Sequence, residues 1–182
     1  MMKIMVASDI HGSALYASAL VEAFQKEGAD KLLFLGDLLY HGPRNDLPNG
    51  YDPKGVIALL SPLAPFILAV RGNCESEVDQ LVLPFPVMAD YGWLMLGGRT
   101  IYATHGHLAT PPMQKGDVLL SGHTHIPHCE VKEGILYANP GSVSIPKANT
   151  PRSYMILTDE GMTWKTLEGD TYQSYLFADF TA

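Results

Sequence analysis

Lys3-Ile4-Met5-Val6-Ala7-Ser8-Asp9-Ile10-His11 is an apolar run that ends in a polar cluster, and the chain repeats the design twice. Lys31-Leu32-Leu33-Phe34-Leu35 ends at Gly36-Asp37, and Phe66 to Val70 ends at Arg71-Gly72-Asn73. Short, continuously apolar runs closed by turn residues read as strands buried on both faces. Between the first two, Leu15, Ala19 and Ala23, with Leu20 and Phe24, recur at helical spacing, with Ser13 as N-cap and Gly28 as stop. A polar loop spans about residues 41–52. Asp52-Pro53 then supplies an N-cap and a first-turn proline for a helix over Val56 to Leu60. Strand, helix, strand, helix, strand is the pattern of parallel βαβ units.

The second half reads differently. Trp93–Leu96 and Arg99–Thr104 flank Gly97-Gly98 as a hairpin, and Val118–Ser121 is a further strand. His128–Val131 and Ile135–Ala138 flank Glu133-Gly134, and Ser153–Thr158 and Thr163–Leu167 flank Glu160-Gly161. The expectation is one α/β domain over residues 1–182 with two packed sheets, the first largely parallel and the second largely antiparallel. The aromatic tail, Tyr172 to Phe180, is expected to pack on the core or on a partner subunit, which makes a homo-oligomer an open expectation.

The chain is 47% apolar and 17% charged, with a formal net charge of −7. That is a folded composition, and without a basic run it argues against binding a nucleic-acid polymer. No segment reaches the roughly 18 consecutive apolar residues of a membrane span. Asp9 and His11 interrupt any signal-peptide core, so no membrane association is expected. Two cysteines, Cys74 and Cys129, are too few for a disulfide framework, and a cytoplasmic location is expected.

Five polar clusters follow strand-like runs: Asp9-Ile10-His11, Gly36-Asp37, Gly72-Asn73-Cys74-Glu75, His105-Gly106-His107 and Gly122-His123-Thr124-His125. In open α/β sheets, ligands bind beyond the carboxyl ends of the strands. Asp9 and His11 are two apart, as are His123 and His125, so in an extended segment each pair points one way. Two carboxylates, one amide oxygen and four imidazoles are too many ligands for one ion and suit two. Mixed nitrogen and oxygen donors favour Mn, Fe, Zn, Co or Ni over Ca or Mg. Two divalent cations, two carboxylates and a bridging hydroxide leave a net charge of about +1, which suits a phosphodiester anion.

These five blocks, in this order, resemble the calcineurin-like metallophosphoesterases. Gly36-Asp37 through Pro43-Arg44-Asn45, Gly72-Asn73-Cys74 and Asn139-Pro140-Gly141-Ser142 resemble the small bacterial and archaeal phosphodiesterase branch of that family. The resemblance implies a four-layer α/β/β/α sandwich with two mixed sheets. It implies one metal on Asp9, His11, Asp37 and His125 and a second on Asp37, Asn73, His105 and His123, with Asp37 shared and Mn2+ the usual ion. It implies hydrolysis of small phosphodiesters, possibly nucleotide-derived, by a hydroxide bridging the two metals. The alternatives are a phosphomonoesterase on the same site, or a protein-interaction module like the retromer subunit that shares the fold.

Beside the ligands, His107 is a candidate hydrogen-bond donor to phosphate or a support for the ligand residues. His41 and Arg44 follow the shared Asp37 and are either phosphate contacts or solvated loop residues. Arg71 is expected to pair with a carboxylate, Glu75 to orient Asn73 or cap the next helix, and His128 to lie on a sheet surface. The family's Gly-Asn-His block offers His as general acid where this chain has Cys74. A thiol with an ordinary pKa near 8.5 is a poorer proton donor than an imidazole near 6.5. Either a preference for substrates with acidic leaving groups or a different general acid is therefore expected.

Overall fold

The structure is a computed structural model and describes residues 2–181. In these residues eleven strands form two mixed sheets. The first sheet contains β1 (Ile4–Ala7), β2 (Lys31–Phe34), β3 (Ile67–Ala69), β9 (Ser153–Leu157), β10 (Gly161–Thr166) and β11 (Thr171–Leu176), in the order β11-β10-β9-β1-β2-β3. The second contains β4 (Tyr91–Leu96), β5 (Arg99–Thr104), β6 (Val118–Leu120), β7 (His128–Lys132) and β8 (Ile135–Asn139), in the order β4-β5-β6-β8-β7.

Side-chain alternation explains the continuous apolar runs. Met5, Ala7, Leu32 and Phe34 face a core shared with α1 (Ala14–Glu27) and α2 (Pro53–Leu60), through Leu20, Phe24, Val56 and Leu60. Ile4, Val6, Leu33 and Leu35 face a second core with Ile101, Ala103, Val118, Leu120 and Leu136 of the other sheet. Each central strand therefore has apolar residues on both faces. Ser13 caps α1 through its side chain, Gly28 ends it at φ 59°, and Asp52 caps α2 ahead of Pro53, as expected.

The α/β class and the two packed mixed sheets match the expectation, but the division into parallel and antiparallel halves does not. In the first sheet β1, β2 and β3 are parallel, yet β9 runs antiparallel to β1 and brings the hairpin β9–β10 and the tail strand β11 with it. In the second, β5, β6 and β8 are parallel and only the outer pairs β4–β5 and β7–β8 are antiparallel. Local sequence identifies a hairpin but not the strand beside which it docks. Residues 140–152 carry the chain from the second sheet back to the first, and Val143 N–H donates to Ser8 O at 3.0 Å on the way. Among the described residues the three α-helices, including the short α3 (Glu77–Val82), all precede β4. The tail adds β11, and its Phe177 and Phe180 are buried with the Arg99 guanidinium over both rings. No helix of the described residues is long and apolar enough to cross a membrane.

Candidate metal centre

The ends of β1, β2 and β3 and the loops after β5 and β6 meet at one edge of the two sheets. They do not meet as extended segments. Asp9, His11, Asp37, His123 and His125 have φ values of 59°, 50°, 58°, 67° and 61°, all in the left-handed region. The expectation that each two-apart pair converges through an extended backbone is therefore incorrect. Each pair converges because its chain coils tightly past the strand end, with two strained residues around one ordinary one. The strain is offset by fixed backbone contacts: Asp9 N–H to Gly36 O at 3.1 Å, His11 N–H to Asp37 O at 2.9 Å and His123 N–H to Asp9 Oδ2 at 3.1 Å.

Four imidazoles and two carboxylates are gathered here. His11 Nδ1 donates to Tyr40 O at 2.9 Å, His105 Nδ1 to Leu35 O at 2.6 Å and His125 Nδ1 to Ile145 O at 2.8 Å. A carbonyl can only accept, so each Nδ1 carries a proton and each Nε2 is aimed inward, where it holds a second proton or, in the neutral ring, offers a lone pair. Those inward nitrogens meet one another. His11 Nε2 lies 3.2 Å from His125 Nε2, His123 Nδ1 lies 3.2 Å from His105 Nε2, and Asn73 Oδ1 lies 3.1 Å from His105 Nε2. Asp37 Oδ2 stands between the groups, 3.6 Å from His11 Nε2 and 3.4 Å from His105 Nε2.

Asp9 Oδ1 is buried and accepts no hydrogen bond, although His125 Nε2 is 3.2 Å away. Acceptors converging on acceptors around an unpartnered buried carboxylate oxygen are the donor set of a cation site. Three groups place their ligand atoms within 4.8 Å of one another: Asp9, His11 and His125; Asp9, Asp37 and His105; and His11, Asp37 and Cys74. These residues fit divalent metal binding.

The electrostatics agree. Burial alone would raise the Asp9 carboxyl, but the His11 and His125 imidazoles hold it well below the usual range. Asp37 is likewise held down by His105 against the effect of burial. Burial would lower His105, yet its hydrogen bond to Asp37 and the charges of Asp9 and Asp37 push it up to about 9. A cation held by His105 Nε2 would therefore displace a proton at neutral pH.

Supporting groups set the loops. Glu75 neither orients Asn73 nor caps α3. Its Oε2 accepts from Asp37 N–H at 2.8 Å and Gly72 N–H at 2.5 Å, and its Oε1 accepts from Leu38 N–H at 2.6 Å, which ties the β3 loop to the β2 loop. Burial beside Asp37 pushes its carboxyl up to about 7. The α3 cap is Ser76, in a capping box with Asp79. A Cβ at position 72 would collide with the Asp37 carboxylate, and one at position 122 with Ser8, so both glycines are required by close approach. Ser142 and Ser144 hydroxyls donate to Asp9 O at 2.9 and 3.1 Å, and Asn139 Nδ2 donates to Gly122 O at 2.7 Å. The Asn139 to Ser142 turn thus has the structural role expected of it.

The remaining candidates divide. Arg44 lines a polar recess of about 230 Å³ with Asp37, Asn73, His123 and His125. Lys147 and Asn45 line it too; Lys147 was not legible as a site residue, because it lies in a plain loop with no motif around it. His41 does not line this recess: its ring stands edge-on between Tyr40 and Tyr51, at 4.7 and 5.3 Å. His107 does not line it either, and packs against the His105 and His123 rings. Arg71 pairs with Asp90 at 2.7 Å, and His128 is exposed beside Glu130, both as expected. Cys74 is a half-buried free thiol whose pKa is pushed up by burial and by the Asp37 carboxylate.

Comparison with known proteins gives a consistent picture. Residues 2–162 match the calcineurin-like phosphoesterase superfamily domain. The chain is 48% identical to phosphodiesterase YfcE of Escherichia coli strain K12 over 164 residues, covering 88% of this chain and 89% of that protein. A solved structure of YfcE, a phosphoesterase from E. coli, superposes with a TM-score of 0.93 at 43% identity, covering 97% of this chain and all of that one. Vacuolar protein sorting 29 from Cryptosporidium parvum shares the fold, with a TM-score of 0.63 at 19% identity over 96% of this chain and 98% of that one.

Proposed function

Because this chain belongs to the calcineurin-like phosphoesterase superfamily, we propose that it is a phosphodiesterase of small phosphodiesters, with two divalent cations as cofactors. When bound, the cations supply positive charge at the phosphoryl oxygens and make a water acidic enough to act as nucleophile. Asp9, His11, Asp37 and His125 would hold one, and Asp37, Asn73, His105 and His123 the other. Nitrogen and oxygen donors of this kind suit Mn2+, with Zn2+, Fe2+, Co2+ and Ni2+ as chemical alternatives.

The chain's own groups do the rest. Asp37 couples the two ligand sets through one carboxylate. The carbonyls of Tyr40, Leu35 and Ile145 lock the tautomers of His11, His105 and His125, so the site is organised before substrate arrives. Arg44 and Lys147 stand at the recess and offset the charge of the phosphate as it enters. The cluster excludes bulk water at Asp9, which is fully buried, and leaves Asn73 exposed at the entrance.

The observation that carries this reading is the set of imidazole Nε2 lone pairs converging on Asp9 and Asp37. It is tested by assaying Mn2+-loaded protein on bis(4-nitrophenyl) phosphate and 4-nitrophenyl phosphate. The expected result is a kcat/KM at least about tenfold higher for the diester, equivalent to about 1.4 kcal/mol in the barrier. A higher value for the monoester would make the protein a phosphomonoesterase, and no hydrolysis of either would make the site non-catalytic.

A further inference from the structure

We infer that this site selects phosphodiesters carrying one aromatic or bulky apolar substituent, held in a groove that continues from the metal cluster. The inference rests on the phosphodiesterase reading above. Two recesses meet at Asn73. The polar one, about 230 Å³, holds Arg44 and Lys147. The other, about 620 Å³, runs from Asn73 and Cys74 along the channel between α2 and α3. The first is the size of a phosphoryl group with its solvent; the second falls within the range of small-molecule sites, roughly 300–1,000 Å³.

The walls of the larger recess are Tyr40, Tyr51, Ile57, Val78 and Val82. Tyr40, Val78 and Val82 are 43%, 63% and 45% exposed, so an apolar occupant would remove real surface from water. The charge pattern excludes other occupants. No Lys or Arg lines this groove, and its charged residues are the carboxylates Glu75 and Asp79. Both are engaged with backbone N–H groups, Asp79 with Ser76 at 2.8 Å. A second phosphate or a carboxylate placed there meets negative charge and no cation. The cationic side chains that line the two recesses, Arg44 and Lys147, are on the phosphoryl side of Asn73.

The groove is also tied to the chemistry. Tyr40, which forms its inner wall, gives its carbonyl to His11 Nδ1 at 2.9 Å. Tyr51 is bridged to Ser13 and is braced by the His41 ring, which also braces Tyr40. His41, which does not line the polar recess, thus stands between the two tyrosine walls.

The test compares binding of 1-naphthylphosphonate and methylphosphonate to Mn2+-loaded protein by titration calorimetry. The naphthyl compound is expected to bind at least about tenfold tighter, the effect of withdrawing about 55 Å² of apolar surface from water. The Val78→Asp/Val82→Asp variant should lose that preference, whereas Leu81→Asp, on the same helix at 83% exposure and off the groove wall, should keep it. Equal affinities in the wild type overturn the inference. So does a double variant that keeps the preference, or one that becomes monomeric from a dimer in sedimentation while keeping it, since the groove is then a subunit interface. Failure of diester hydrolysis with the binding preference intact would count against the phosphodiesterase reading and leave the groove assignment standing.

Discussion

Cys74 stands where the related pattern offers an imidazole, and its surroundings make the contrast sharper. The thiol is pushed up by burial and by Asp37, so it keeps its proton when a leaving alkoxide needs one. Hydrolysis should therefore depend steeply on leaving-group acidity. Aryl diesters spanning leaving-group pKa values should give a strongly negative slope of log kcat/KM, and Cys74→His should flatten it. An equally shallow slope in both proteins would show that protonation at this position is irrelevant. Asp37 makes the other residue-scale case. It is a carboxylate in the left-handed region, a conformation that costs an ordinary residue roughly 1–2 kcal/mol and that Asn tolerates well. Asp37→Asn should keep the metal-free melting temperature at or above that of the wild type while lowering diester hydrolysis by at least about 100-fold. A large fall in melting temperature would mean that the carboxylate is there for stability rather than function.

At the scale of elements, the loops after β2 and β3 are joined by Glu75, and the C-terminal end of α1 is joined to the sheet by Glu27. Replacing Glu75 by Gln puts an NH2 donor in place of one carboxylate oxygen, so either the Leu38 N–H or the Asp37 and Gly72 N–H pair faces a donor instead of an acceptor. The expected cost is about 1–3 kcal/mol in chemical denaturation, with metal affinity lowered about 10–100-fold. Glu27 accepts from Lys3 at 3.3 Å, from Lys165 and from Tyr154 at 3.1 Å. Burial would raise its carboxyl, but the two lysines hold it below its ordinary 4.5. A depressed folded pKa stabilises the fold above the unfolded value and stops doing so as pH falls through the folded value. The stability gap between wild type and Glu27→Gln should thus be full above about pH 4.5 and close on further acidification, as measured by urea denaturation across pH. A gap that does not change with pH would place its origin in packing.

At the scale of the whole molecule, the sequence was most legible where chemistry and geometry are local. The buried strands, the caps of α1 and α2 and the five polar clusters could be read from apolar runs, Ser, Asp, Pro and Gly at helix ends, and the types of side chain that bind metals. Sheet membership could not: β9 pairs with β1 across more than a hundred residues, and nothing in its apolar run specifies that neighbour. The backbone route to the cluster was also hidden, since spacing alone does not distinguish an extended pair from one coiled through positive φ. Lys147 and the Tyr40–Tyr51 groove arise only when separate loops are brought together. The long-range pairing that hid these features also builds the site, because the cluster forms only when both sheets are in place.

The central claim is that one shared carboxylate, Asp37, organises two cation sites whose joint occupancy permits phosphodiester cleavage. It is tested most directly by titrating metal-free protein with Mn2+ while following bound metal per chain and diester hydrolysis in the same samples. The account predicts saturation at two ions per chain, with hydrolysis rising as the second binds. Full hydrolysis at one ion per chain, or saturation without hydrolysis, would contradict it.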